Sequence, residues 1–110
     1  MSVVDLDHVA HILRQSGWEV TVGEGEVLAS RADKGGLWSL AVDGAGRLLF
    51  TAVRTLRPAR LRRLTRGGVV YRTAWEEQGV FTVAIDMKEI ETLQRLLSDL
   101  SLLVRQASRL

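Results

Sequence analysis

Leu37-Trp38-Ser39-Leu40-Ala41-Val42-Asp43-Gly44-Ala45-Gly46-Arg47-Leu48-Leu49-Phe50 decides the fold. Large apolar residues run up to Asp43-Gly44 and resume after Gly46, which predicts strands at 37–42 and from Arg47 to about Thr55. Asp43-Gly44 is a hairpin signal, because glycine tolerates the positive φ of a tight turn. So short a connection forces the two strands to run antiparallel, since a parallel pair needs a crossover of a dozen residues or more.

The same reading extends in both directions. Trp18, Val20 and Val22 alternate with Glu19 and Thr21, as in a half-buried strand. Gly23-Glu24-Gly25 is a turn, Glu26 to Ala32 a strand, and Asp33-Lys34-Gly35-Gly36 another turn. Beyond the hairpin, Arg57 to Gly68 interrupts the pattern. Pro58 suits a first helical position and Gly67-Gly68 an end, so 59–66 is a short helix or a basic loop. Strands follow at 69–76 and 80–85, with Glu77-Gln78-Gly79 between them.

Helices close both ends. Asp5 is a candidate N-cap, and Val4 and Val9 are spaced for a hydrophobic staple. Leu6, Val9, Ala10, Ile12 and Leu13 share one helical face, and Gly17 ends the helix. Asp86, with Glu89 three residues on, caps a second helix running from about Met87 to near the C-terminus. The expectation is an α+β fold. An antiparallel meander sheet of five to six strands is flanked by an N-terminal helix and a long C-terminal amphipathic helix. With no linker, repeat or low-complexity tract, residues 1–110 form a single domain.

The chain has 110 residues, 46% hydrophobic and 25% charged, an ordinary globular composition. It has no cysteine, so disulfide and thiol chemistry are excluded. No apolar run approaches the ~20 residues of a membrane span, and residues 1–7 do not resemble a signal peptide. The expected location is the cytoplasm, with no membrane partner. Thirteen arginines against two lysines and the lack of asparagine suit a thermophile or a GC-rich genome.

Ile90, Leu93, Leu97, Leu100, Val104 and Ala107 follow heptad spacing, with Leu96, Leu103 and Leu110 beside them. Two stripes exceed the roughly 100° face that one sheet requires. They mark either a deeply buried helix or one that also meets a second subunit. A homodimer is expected, with Leu93, Leu96, Leu100 and Leu103 as its interface.

The net charge of +2 conceals an asymmetry. Seven arginines and no acid lie between Arg54 and Arg72, whereas the remaining residues carry eight basic and thirteen acidic side chains. Guanidinium groups make bidentate contacts to phosphates, so Arg57, Arg60, Arg62, Arg63 and Arg66 are candidate contacts to DNA, RNA or another anion. The alternative is a solvated segment paired with acids elsewhere. No zinc finger, helix-turn-helix or RNA-recognition signature accompanies the block. Trp18, Trp38, Phe50, Trp75 and Phe81 occupy strand positions that suit a core.

Catalytic patterns are sparse. His8 and His11 with Asp7 have a spacing that could face a metal, but they fall on the polar side of their helix. The glycine turns lack the Walker and dinucleotide spacings, and there is no Gly-x-Ser-x-Gly elbow. The expectation is a non-enzyme with no cofactor and no metal.

The order of elements resembles the type III secretion chaperone-like fold, including YbjN-type bacterial proteins. The resemblance rests on Leu6-Asp7-His8-Val9-Ala10-His11-Ile12-Leu13 leading into Gly17-Trp18-Glu19-Val20. It rests also on residues 37–43 and 46–50, on Phe81-Thr82-Val83-Ala84-Ile85, and on the leucine-rich helix. It implies a non-enzymatic dimer that binds other proteins through sheet or helix surfaces. Two features depart from the family: four strands precede the middle segment where three are usual, and that segment is short and arginine-rich. The leading functional expectation is a chaperone- or adaptor-like protein-interaction domain. The alternative is a nucleic-acid-binding protein using the Arg54–Arg72 segment.

Overall fold

The computed structural model describes residues 4–33, 36–53, 71–76, 80–86 and 90–107. Helix α1 spans Leu6–Gln15. Six strands follow: β1 (Glu19–Gly23), β2 (Glu26–Asp33), β3 (Gly36–Asp43), β4 (Arg47–Val53), β5 (Tyr71–Glu76) and β6 (Val80–Asp86). Helix α2 spans Ile90–Ala107. The protein is therefore α+β, with an antiparallel sheet and a helix toward each end.

Local chemistry sets the limits of α1. The Asp5 carboxylate accepts from the Asp7 and His8 amides, at 3.0 and 3.5 Å, as an N-cap does. Val4 and Val9 are both buried, which completes the staple. At the other end Gly17 takes φ +88°, a conformation that suits glycine. Its amide donates to the Arg14 carbonyl, and the Trp18 amide donates to the Leu13 carbonyl. Trp18 and Leu13 are buried, so this is a Schellman stop with its apolar contact.

The sheet order is β1-β2-β3-β4-β6-β5. Neighbours are antiparallel throughout, but β5 lies outside β6 at the edge, so the chain is not a simple meander. In the β3–β4 hairpin the left-handed residue is Gly46, at φ +86°, and not Gly44. The Asp43 carboxylate holds the turn by accepting from the Ala45 and Arg47 amides at 3.0 and 2.9 Å.

One face of the sheet carries the core. Val27, Ala29, Trp38, Leu40, Val42, Leu48, Phe50 and Ala52 are buried together with Val9 and Leu13 of α1. Trp38 and Phe50 meet edge to face, with ring centroids 5.6 Å apart. Leu93, Leu96, Leu97 and Leu100 of α2 belong to the same cluster.

This placement bears on the expected dimer interface at Leu93, Leu96, Leu100 and Leu103. Leu93, Leu96 and Leu100 are 0%, 1% and 1% exposed within one chain, so they offer no surface to a second subunit. Among the described residues, Leu93, Leu96, Leu97 and Leu100 are taken up by the core on the sheet, and α1 also packs against α2. Leu103 belongs to α2 beyond the last side chain described. Arg57, Arg60, Arg62, Arg63 and Arg66 lie outside the described residues, as does the predicted middle segment.

Candidate interaction surface

Strand alternation that points Trp38, Leu40, Leu48 and Phe50 into the core points their neighbours the other way. The register then fixes what lies side by side on the second face. One row runs Leu28, Ala41, Leu49 and Ala84 across β2, β3, β4 and β6. The next row runs Ser30, Ser39, Thr51 and Thr82 across the same strands. None of these eight residues is buried. Both described helices belong to the opposite, core-bearing side, so no helix among the described residues covers this face.

Leu28 and Leu49 are each 45% exposed on it, and Leu37, further along β3, is 50% exposed. Between the Leu28 and Leu49 walls, Ala41 and Ser39 form the floor of a trough of about 540 Å³. The eight central positions carry no charge. Charged residues sit at the margin: Glu19 on the edge strand β1, Glu26 and Asp43 paired at the turn end, and Arg47 beside them. An uncharged centre, one row apolar and the next hydroxyl-bearing, within a charged rim suits a protein contact surface.

A second depression of about 320 Å³ separates α1 from α2 and is lined by Ile12, Gln15, Ser16, Gln94, Leu97 and Ser101 among others. Ser101 is already engaged, donating to the Leu97 carbonyl at 2.9 Å. Asp7, His8 and His11 are exposed on α1. Among the described residues no three His, Asp or Glu side chains converge in a way that could hold a metal. One carboxylate is unusual. Oδ2 of Asp99, on α2, is buried without a hydrogen-bond partner. Burial raises its pKa above the ordinary aspartate range, and Arg95 one turn earlier partly opposes the shift.

No helix among the described residues is long and apolar enough to cross a membrane. No family model matches the chain, and no curated protein matches it. Among solved structures, the chain is similar to YbjN, a candidate transcription regulator from E. coli. The likeness has a TM-score of 0.45 at 15% identity, over 97% of this chain and 93% of that one.

Sequence reasoning named a sheet or helix surface as the place for a protein partner but not the residues that form this face. The alternation of Leu28, Ala41 and Leu49 becomes a surface only once the register brings residues from different strands into one row. The signal available was an apolar residue on both faces of β4, where Leu48 and Leu49 are adjacent.

Proposed function

We propose that this chain is a small non-enzymatic protein-interaction domain, chaperone- or adaptor-like, that presents its open sheet face to apolar segments of other protein chains. The observation that carries this reading is the uncharged face with Leu28, Leu37 and Leu49 exposed upon it. A sheet face normally needs a covering layer, and monomeric proteins seldom leave a contiguous apolar patch without a use for it.

The test is suppression of aggregation. A chemically denatured model protein is diluted into buffer with and without the domain, and light scattering is followed. Wild type lowers the scattering, whereas Leu28→Lys/Leu49→Lys, which charges the trough walls without touching the core, does not. Equal suppression by both proteins, or none by wild type, contradicts the reading.

The nucleic-acid reading is supported by the sequence alone, through seven arginines uninterrupted by an acid. It predicts binding to DNA or RNA that weakens steeply with salt. Fluorescence anisotropy at two salt concentrations, with Arg60→Ala/Arg62→Ala/Arg63→Ala as the comparison, separates the two functions. Tight, salt-sensitive binding lost in the triple variant favours nucleic acid.

A further inference from the structure

We infer that in the resting protein the open face is covered by the same face of a second copy, the two sheets packing as an isologous sandwich. This rests on the reading of that face as an interaction surface and names its first occupant.

The pattern of the rows carries the inference. Across β2, β3, β4 and β6 the first row alternates leucine and alanine: Leu28, Ala41, Leu49, Ala84. Each strand step is about 4.8 Å, so the row is a corrugation of two ridges and two hollows. Such a row is complementary to itself. A two-fold axis parallel to the strands and passing between β3 and β4 reverses the strand order across the interface. Leu28 then faces the partner's Ala84, and Leu49 faces the partner's Ala41, with the reciprocal contacts made by symmetry. The second row follows, placing Ser30 opposite the partner's Thr82 and Ser39 opposite the partner's Thr51. Hydroxyl groups meet hydroxyl groups, which both donate and accept.

Three further observations favour a second copy over other occupants. No charge lies at the eight central positions, so the centres of two identical faces meet without like-charge repulsion; in the row beyond them the same axis sets Asp43 opposite the partner's Arg47 and Glu26 opposite the partner's Asp86. The trough is one strand wide, with ridges about 10 Å apart, which admits a row of side chains but not a helix of 10–12 Å diameter. The sheet offers roughly 500 Å² per protomer, so a pair buries on the order of 1,000 Å², near the lower limit for a specific interface. That area fits a weak dimer that opens to release the face to other chains.

Sedimentation velocity from micromolar to millimolar concentration tests the dimer, with circular dichroism to confirm folding. Wild type shifts from monomer to dimer. Leu49→Lys stays monomeric throughout, and Leu102→Lys, at an exposed leucine on α2, behaves as wild type. The absence of native cysteine permits a check of geometry that leaves the leucines in place. Ser30→Cys and Thr82→Cys are prepared separately and treated, alone and mixed, with a bis-maleimide of about 8–10 Å reach. Facing residues lie about 10 Å apart across packed sheets, whereas identical residues are displaced by a further three strands. The mixture cross-links and neither variant alone does so. A monomer at every concentration, a dimer that survives Leu49→Lys, or cross-linking of either variant to itself overturns the inference. If wild type is monomeric yet suppresses aggregation through Leu28 and Leu49, the interaction function stands and only the second copy is excluded.

Discussion

Arg31 Nη1 donates to the Ser16 carbonyl oxygen at 3.3 Å, tying strand β2 to the end of helix α1. Arg31 occupies a core-side register position, opposite Trp38, yet its guanidinium reaches out to a helix C-terminus. That terminus carries partial negative charge and carbonyls without helical partners. One side chain supplies both the cation and the hydrogen bond.

Removing that donor loosens α1 from the sheet. Arg31→Met, which keeps most of the apolar stem, is expected to lower stability by about 1–2 kcal/mol. Urea unfolding followed by tryptophan fluorescence measures it. A change within about 0.3 kcal/mol would show that the contact contributes nothing.

Trp38 and Phe50 form the centre of the core, at 1% and 0% exposure and an interplanar angle of 83°. Phe50→Leu should cost about 1–1.5 kcal/mol, and Phe50→Ala about 3–5 kcal/mol through the cavity it leaves. The edge-to-face contact adds a coupling of about 0.5–1.5 kcal/mol in a cycle with Trp38→Leu. Strict additivity of the two leucine substitutions would mean that the rings interact only through the area they bury.

Asp99 makes stability depend on pH in a defined direction. Its folded pKa is raised by burial, so between 3.8 and that raised value the folded chain holds more proton than the unfolded chain. Stability therefore falls as pH rises through this window, and the full penalty is present above it. Asp99→Asn removes the titration. Relative to wild type, the variant gains stability between acid pH below 3.8 and neutral pH. Parallel unfolding curves at the two conditions measure that gain, and an equal difference at both shows that the carboxylate is not penalised.

The α+β class was legible because the signals were local. Asp5 and Gly17 mark the ends of α1 through backbone hydrogen bonds within a few residues. The Asp43–Arg47 turn carries its own side-chain acceptor. What could not be read depends on distant packing. Nothing near Tyr71 says that β5 pairs outside β6 and not beside β4. The leucines of α2 suggested a second subunit, because stripe width alone does not say how much face a sheet and a neighbouring helix will bury. Leu93, Leu96 and Leu100 went to the core, and exposed leucines turned up on β2, β3 and β4 as well as at Leu102 of α2. The candidate surface is a property of register, which brings Leu28, Ala41 and Leu49 together from three strands.

Methyl-labelled NMR spectra of the leucines, recorded from dilute to concentrated protein, test the central claim most directly. On the proposal that the open sheet face is the working surface of this chain, the Leu28 and Leu49 methyl resonances are predicted to shift with concentration while those of Leu93 and Leu96 stay fixed. Shifts at Leu102 and its neighbours on α2, with Leu28 and Leu49 unmoved, would contradict it.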